Sequence, residues 1–278
     1  MDPDFLQKKF IATDAGKIYY FIDDTFPNRP WVVFLHGLSA NHTTWSGVVA
    51  LLRAQQYNCL MVDMRGHGYS DKTRRRSLYT FPRFTSDLRQ IVEHERIKHF
   101  ILVGYSFGGC VALDYALHYP SSLSGLMLIS ANYINPIVER GFSVVARLLT
   151  TFLNGVAYLM LWQKRRRYFY YQYQKTALRG YWYSVYEGLK SMPISVNLWL
   201  MALMSTLDFS GELKQLYFPT TVVRAEHDPF FSVSEAKTMA TRLGAEVVTI
   251  VHPNHFLASH AQDKVSGIIL EFLTDVCA

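Results

Sequence analysis

The sequence predicts an α/β fold in which a doubly wound, mostly parallel sheet carries an all-helical cap insertion. Strand-like apolar runs alternate with helix-like segments up to about residue 131 and again after residue 217. Between them, residues 132–216 contain long apolar and aromatic segments of helical type. Regular alternation of strands and helices is typical of parallel sheets with helices on both faces. We therefore expect a core built from 1–131 and 217–278 and a cap built from 132–216.

The individual elements of the core follow from their local patterns. Two strand-like runs, 10–13 and 17–22, flank a short Asp14-Ala15-Gly16 turn and predict a β-hairpin. A continuous apolar run of strand length, suited to burial on both faces of a sheet, follows at 31–35. Further strands are predicted at 59–62, 100–103, 126–129, 220–223 and 247–251. Helical spacing predicts helices at 43–56, 84–94, 110–117, 233–243 and 261–274.

The most informative motif is Gly104-Tyr105-Ser106-Phe107-Gly108, which lies between a predicted strand and a predicted helix. Glycines two positions away on either side of a serine permit a very tight strand-to-helix turn that leaves the serine oxygen exposed. A serine hydroxyl is a poor nucleophile by itself. The motif therefore predicts a catalytic Ser106 only if a base and an orienting acid come from elsewhere in the chain.

Three further motifs accompany this turn in a fixed order. Leu35-His36-Gly37-Leu38 follows the third strand, and Asp63-Met64-Arg65-Gly66-His67-Gly68-Tyr69-Ser70 follows the fourth. Asp228 follows one late strand and His255 follows the next. With these four motifs, the chain resembles α/β-hydrolase fold serine hydrolases, esterase- or lipase-like, that carry a helical cap. The resemblance covers nearly the whole chain outside the insertion.

The resemblance implies a role for each of five residues. Ser106 is the expected nucleophile, His255 the base that takes its proton, and Asp228 the acid that orients the imidazole. The backbone N–H groups of Leu38 and Phe107 are the expected oxyanion hole. Because loops at the carboxyl ends of parallel strands converge on one edge, residues this far apart in sequence can meet there.

Other residues compete for two of these roles. Glu226 and His227 lie next to Asp228, but a strand-end carboxylate two residues earlier is expected to face the wrong side. His252 and His260 compete with His255, which is favoured because Pro253-Asn254 turns the chain just before it.

Other polar residues near the predicted site have structural explanations. His36 and His67 are expected to be hydrogen-bonding groups rather than catalysts. Asp63 is interpreted as a strand-end loop residue, and Asn132 has no carboxylate with which to replace Asp228.

The identity of the nucleophile narrows the reaction. Haloalkane dehalogenases and epoxide hydrolases of this fold carry Asp at the position of Ser106, whereas a serine forms acyl-enzymes. The sequence therefore predicts a carboxylic-ester hydrolase that acts on an apolar acyl substrate. A C–C bond hydrolase, a lactonase and a cofactor-free perhydrolase or haloperoxidase with the same triad remain alternatives, and the complete triad argues against a non-catalytic binding protein. Neither metal-ligand spacing nor a phosphate-binding glycine loop is present, so we expect no metal and no cofactor.

The basic charge of the chain is concentrated in the insertion. Residues 132–216 contain ten Lys and Arg but four Asp and Glu, whereas the remaining chain has 18 of each sign. The apolar segment 142–162 is nearly long enough to span a bilayer, and the basic run 164–167 follows it. Arg147, Thr151 and Asn154 share one helical face, however, which favours an amphipathic cap helix.

Three interpretations of the insertion remain: a cap that packs its aromatic side chains on the core, a lid that contacts an anionic membrane, and a nucleic-acid surface. The catalytic set disfavours the last, so the expected partner is a small-molecule or lipid ester and no nucleic acid. The N-terminus shows no signal-peptide pattern, and Cys59, Cys110 and Cys277 are widely spaced. A cytoplasmic location, with the insertion peripheral to a membrane in the second interpretation, is the resulting expectation. The sequence does not predict an oligomeric state.

Overall fold

The computed structural model describes residues 4–139, 141–161, 181–252, 255 and 257–277. Its strands are β1 (Gln7–Thr13), β2 (Gly16–Asp23), β3 (Trp31–Leu35), β4 (Asn58–Val62), β5 (Phe100–Tyr105), β6 (Leu123–Ile129), β7 (Thr220–Ala225) and β8 (Glu246–Ile250). They form one sheet in the order β1-β2-β4-β3-β5-β6-β7-β8. The strand β2 runs antiparallel to both of its neighbours, and the other neighbouring strands run parallel. The prediction of a mostly parallel sheet is confirmed.

Helices cover both faces of this sheet. The helices of the described residues are α1 (Ser46–Ala54), α2 (Phe81–His94), α3 (Phe107–His118), α4 (Pro136–Glu139), α5 (Ser143–Met160), α6 (Tyr181–Ser191), α7 (Ile194–Ser205), α8 (Val233–Leu243), α9 (Leu257–His260) and α10 (Gln262–Cys277), of which α4 to α7 lie in the insertion. Val33 of β3 packs in the same apolar cluster as side chains of α2, α3 and α8, whereas Val32 packs with α1 and α10. Successive residues of a strand point to opposite faces, which explains the two cores. The doubly wound arrangement is confirmed.

The strand order creates a crevice beside β3. The chain passes from β3 to β4 on one side of it, and β5 then pairs with its other side. Loops that leave β3 and β5 therefore diverge, and such a switch point is where open α/β sheets bind ligands. This order places the loop after β3 next to the turn after β5.

The helices α4 to α7 lie between β6 and β7 in the chain, within the predicted cap. At the base of this segment the Phe209 N–H donates to the Tyr133 carbonyl at 2.8 Å, and the Asn135 N–H donates to the Leu207 carbonyl at 2.8 Å. The chain therefore leaves the core and returns to it at neighbouring points. The basic run 164–167 and the aromatic residues that follow it up to residue 180 lie outside the described residues.

Two predicted helices differ from the structure in detail. The expected helix 43–56 begins as a single 3₁₀ turn, His42–Trp45, before α1 starts at Ser46. The expected helix 261–274 corresponds to α10, and it is preceded by the short helix α9, which the sequence analysis did not predict. Both changes lie at element ends, where local hydrogen bonding competes with the regular helix.

Candidate active site

The turn at Ser106 has the strained backbone that its motif predicts. Ser106 has φ 52° and ψ −118°, a conformation that side-chain-bearing residues rarely adopt. A Cβ atom on Gly104 would lie 2.6 Å from the Gly108 carbonyl oxygen, and one on Gly108 would lie 2.4 Å from the His36 carbonyl oxygen. The Ser106 N–H donates to the Ile129 carbonyl at 2.8 Å and anchors the turn to β6. Only glycine fits at both flanking positions.

Ser106, His255 and Asp228 form one continuous line of hydrogen bonds. The Ser106 hydroxyl lies 2.8 Å from His255 Nε2, and His255 Nδ1 lies 2.8 Å and 3.1 Å from the two Asp228 carboxylate oxygens. A carboxylate only accepts, so Nδ1 carries a proton toward Asp228 and Nε2 is left to accept from Ser106. The structure thus brings together three residues that lie after β5, β7 and β8.

The carboxylate of Asp228 is fixed from the backbone side as well. Its Oδ1 accepts N–H hydrogen bonds from Phe230 at 2.9 Å and from Phe231 at 3.2 Å. Burial by itself would raise the pKa of Asp228, but the hydrogen bond and charge of His255, together with the Phe230 N–H, outweigh it and lower this pKa. Asp228 is therefore an ionised acceptor at neutral pH.

Asn132 holds the loop that carries Asp228. Its side-chain amide donates to the Phe230 carbonyl at 2.6 Å and to a carboxylate oxygen of Glu235 at 3.1 Å. As the sequence predicts, Asn132 does not act as the acid; it joins the end of β6 to the Asp228 loop.

Tyr105 is a contributor that the sequence analysis did not single out. Its hydroxyl donates to the backbone carbonyl of His255 at 3.1 Å, and the two rings stack with centroids 5.9 Å apart. Tyr105 occupies the variable position of the glycine-serine motif, where any residue is allowed, so the motif carried no signal for this contact.

The competing residues lie away from this line. Glu226 and His227 are exposed, and their side chains approach each other at 3.9 Å. His252 is half-buried, and its backbone carbonyl accepts from the His227 N–H at 3.4 Å. The side chain of His260 lies outside the described residues.

The two expected oxyanion donors belong to segments that touch Ser106. Phe107 is the first residue of α3, so its N–H lies at a helix N-terminus, where the dipole favours negative charge. Leu38 follows Gly37, at which a Cβ atom would lie 3.5 Å from Ser106 Cβ. The next residue, Ser39, donates its hydroxyl to Asn197 Oδ1 of α7 at 2.5 Å. The helix α7 of the insertion is therefore bonded directly to the loop that carries Leu38.

His36 and His67 lie beside this loop as buried neutral groups. His36 Nδ1 donates to the Gly37 carbonyl at 2.8 Å, and its Nε2 accepts from the Met64 N–H at 3.2 Å. Burial lowers the pKa of His36 to about 4 and holds that of His67 well below its usual value. Among the described residues, no group of three or more His, Cys, Asp and Glu side chains is placed to hold a metal ion.

Comparison with known proteins identifies the family to which the chain belongs. The sequence profile of the α/β hydrolase fold family matches residues 30–260. The chain belongs to this family. A protein of Escherichia coli O9:H4 (strain HS), provisionally named carbamate hydrolase RutD, is 25% identical over 249 residues, which cover 84% of this chain and 90% of that protein. An uncharacterized protein of Mycobacterium bovis is 33% identical over 132 residues, which cover 48% of this chain and only 37% of that relative.

Solved structures share the fold over almost the entire chain. An enol-lactonase from Burkholderia xenovorans LB400 superposes with a TM-score of 0.73 at 21% identity, covering 96% of this chain and 100% of that one. An esterase from Exiguobacterium antarcticum gives a TM-score of 0.73 at 19% identity, with 96% and 100% covered. These structures share the fold of the chain, and the family membership supports a hydrolase.

Proposed function

We propose that this protein is a serine hydrolase that cleaves carboxylic esters through an acyl-enzyme at Ser106. The observation that carries the proposal is the line from Ser106 Oγ through the His255 ring to Asp228, with 2.8 Å at each step. A serine, an imidazole of fixed tautomer and an ionised carboxylate in this order are the parts that nucleophilic acyl transfer needs.

The reaction has two halves. Ser106 Oγ attacks the ester carbonyl while its proton passes to His255 Nε2, and the oxyanion that forms lies against the N–H groups of Leu38 and Phe107. The C–O bond to the alcohol then breaks, and the alcohol leaves with the proton from His255. Water, deprotonated by His255, attacks the acyl-enzyme and releases the acid. Asp228 stabilises the imidazolium in both halves.

The surroundings of Ser106 support an apolar acyl group. The Phe107 ring packs at centroid distances of 5.0 Å from Phe84 and 6.0 Å from Phe81. Val196 and Leu200 of the cap helix α7 belong to the same apolar cluster as Phe107. Apolar side chains of the core and of the insertion thus meet beside the turn, which suits an aliphatic or aromatic substrate.

Covalent labelling and turnover test the proposal together. Wild-type protein should react with a fluorophosphonate probe and release nitrophenol from p-nitrophenyl esters of several chain lengths. Ser106→Ala should lose labelling and about a million-fold in turnover. Ser121→Ala, at an exposed serine, is the matched control and should behave as wild type. Equal labelling of Ser106→Ala and wild type would contradict the assignment. Two further substrates in the same panel test other reactions. An aliphatic lactone tests for lactonase activity, and a p-nitrophenyl carbamate tests for cleavage of the carbamate group that the name of the Escherichia coli relative contains.

A further inference from the structure

The helix α5 exposes the greater part of its apolar surface. Its buried side is a narrow seam formed by Ala146, Leu153 and Ala157, and α5 packs against α7. On the opposite side lies a row that we call the apolar stripe, with exposed fractions of 69% for Val144, 65% for Leu148, 65% for Phe152 and 70% for Leu159. A contiguous apolar surface of this kind is rare on a soluble monomer and marks an interaction site.

A cationic cavity lies beside the same helix. It has a volume of about 580 Å³, and its walls include Arg74, Arg75 and Arg76 from the loop before α2, with Tyr158 of α5 and Trp199 of α7. We call it the arginine groove. Arg75 and Arg76 are exposed, and none of the ion pairs among the described residues involves either of them. The groove therefore presents positive charge that the described protein does not neutralise.

The helical periodicity of α5 orders these features. At 100° per residue, Arg147, Thr151 and Tyr158 form a polar flank on one side of the stripe, and Tyr158 also lines the arginine groove. The other flank, with Val145 and Leu149, is apolar. The surface thus passes from apolar, through polar, to cationic. This is the order of layers that an anionic lipid surface presents from its acyl region to its phosphates.

We propose that the apolar stripe and the arginine groove together dock this protein on an anionic membrane surface. The helix α5 lies in the plane of the interface with the stripe in the acyl boundary, while Arg75 and Arg76 contact phosphate-bearing headgroups. Charge complementarity favours an anionic lipid surface over a second copy of this chain. A contact between two copies would bring two positively charged arginine grooves together, and these would repel each other.

A spanning orientation of α5 fits the structure less well. Among the described helices, α5 alone is long and apolar enough to cross a bilayer. It packs against α7, however, and Arg147 and Asn154 lie at positions that a spanning helix would bring into the hydrocarbon core.

Vesicle sedimentation tests the surface without reference to catalysis. Wild-type protein is mixed with phosphatidylcholine vesicles that contain one third phosphatidylserine, or none, at low and at physiological ionic strength. It should sediment with the anionic vesicles, more weakly at the higher salt, because screening shortens the Debye length to about 8 Å. Binding to the anionic vesicles should fall about tenfold or more in Arg75→Gln/Arg76→Gln and about tenfold in Phe152→Ser/Leu159→Ser.

Matched variants separate these sites from general effects. Lys98→Gln/Lys214→Gln removes the same charge from other exposed positions, and Leu51→Ser/Tyr217→Ser removes two exposed apolar side chains elsewhere. Both should bind as wild type does, and all four variants should keep wild-type circular dichroism. The proposal is overturned if wild type fails to bind anionic vesicles at low salt, or if the two surface variants bind as their controls do. Protein that resists extraction from vesicles by high salt and alkaline carbonate would instead show insertion of α5, and a stripe-dependent dimer without vesicle binding would show a second copy as the occupant.

Discussion

Two buried histidine–aspartate pairs among the described residues differ in what surrounds them. In the first, His255 Nδ1 meets Asp228 at 2.8 Å and Nε2 meets Ser106. In the second, His42 Nδ1 meets Asp63 at 2.9 Å, and both side chains are fully buried. The His42 ring stacks on Phe21 with centroids 3.5 Å apart. A hydrogen-bonded His and Asp therefore do not by themselves make a catalytic pair.

The partners of each carboxylate explain the difference. Asp63 also accepts from the backbone N–H groups of His42 at 2.8 Å and Tyr69 at 2.8 Å, so both of its oxygens hold loop backbone. In Asp228 the backbone donors bind Oδ1, while Oδ2 lies 2.8 Å from His255 Nδ1. Backbone N–H groups can only donate, whereas an imidazole can exchange its donor and acceptor nitrogens. We infer that Asp63 holds the backbone of the loops that contain His42 and Tyr69, whereas Asp228 holds the tautomer of His255.

Removal of His255 should give the largest effect. His255→Ala should lose about a million-fold in ester turnover, as Ser106→Ala does, because base and nucleophile act as one unit. The midpoint of urea unfolding should change little by comparison. The control is His252→Ala, three residues away, which should retain near wild-type turnover. If His252→Ala abolished turnover and His255→Ala did not, the base would be assigned to the wrong residue.

A smaller catalytic effect is expected for Asp228→Asn. The new amide can keep its oxygen on the Phe230 and Phe231 N–H groups and donate to His255 Nδ1, which places the imidazole proton on Nε2. The base then cannot accept the Ser106 proton, and turnover should fall about ten-thousand-fold. Since every buried group keeps a partner, unfolding free energy should fall by less than about 1 kcal/mol. A loss of stability as large as that of Asp63→Asn would contradict the tautomer argument.

Asp63→Asn should reverse this pattern. Either orientation of the new amide points an NH₂ group at a backbone N–H, so one buried donor loses its acceptor. Unfolding free energy should fall by about 3 kcal/mol, while turnover per folded molecule should stay within about tenfold of wild type. Urea denaturation and active-site titration measure the two quantities, with Asp275→Asn, at an exposed carboxylate, as the control. A large loss of turnover at unchanged stability would make Asp63 part of the reaction.

The sequence predicted those parts of the molecule that depend on local pattern. The central strands β3, β4 and β5 are mainly apolar runs. Gly104 and Gly108 mark the turn at Ser106 because their backbone contacts leave no room for a Cβ atom. Asp228 and His255 could be chosen because each directly follows a strand of one parallel sheet. Because the loops after these strands lie at one edge of the sheet, Ser106, His255 and Asp228 meet at hydrogen-bond distance.

Contacts between distant residues left no such signal. The bond from Ser39 to Asn197 joins residues 158 positions apart, and the pair of His42 and Asp63 depends on how two loops cross after folding. The periodicity of α5 shows which residues share a face but not which face is buried. The structure buries the seam of Ala146, Leu153 and Ala157 and leaves the larger apolar stripe exposed.

The smallest predicted effect is the pH dependence of stability that comes from the buried histidines His36 and His67. The pKa of His36 is lowered by burial to about 4, and that of His67 is also lowered, so both stay neutral in the folded protein while the unfolded chain takes up protons below about pH 6.5. Acidification therefore favours the unfolded state, and stability should fall as the pH drops from about 6.5 toward 4. For His36 alone the loss between about pH 7 and pH 5 is about 2 kcal/mol.

Asp63 and Asp228 do not contribute to the change in stability between about pH 7 and pH 5. The pKa of each is lowered, so their stabilisation is present above the usual carboxylate pKa of about 4 and is lost only below it. Urea denaturation at a series of pH values measures the slope. His67→Gln, whose amide can still donate to the Arg65 carbonyl that His67 Nδ1 contacts at 3.0 Å, should make the slope shallower. If stability stayed constant between about pH 7 and pH 5, His36 and His67 would bind protons in the folded protein. The contrast between these histidines, which hold loops, and His255, which accepts a proton in the proposed reaction, would then be lost.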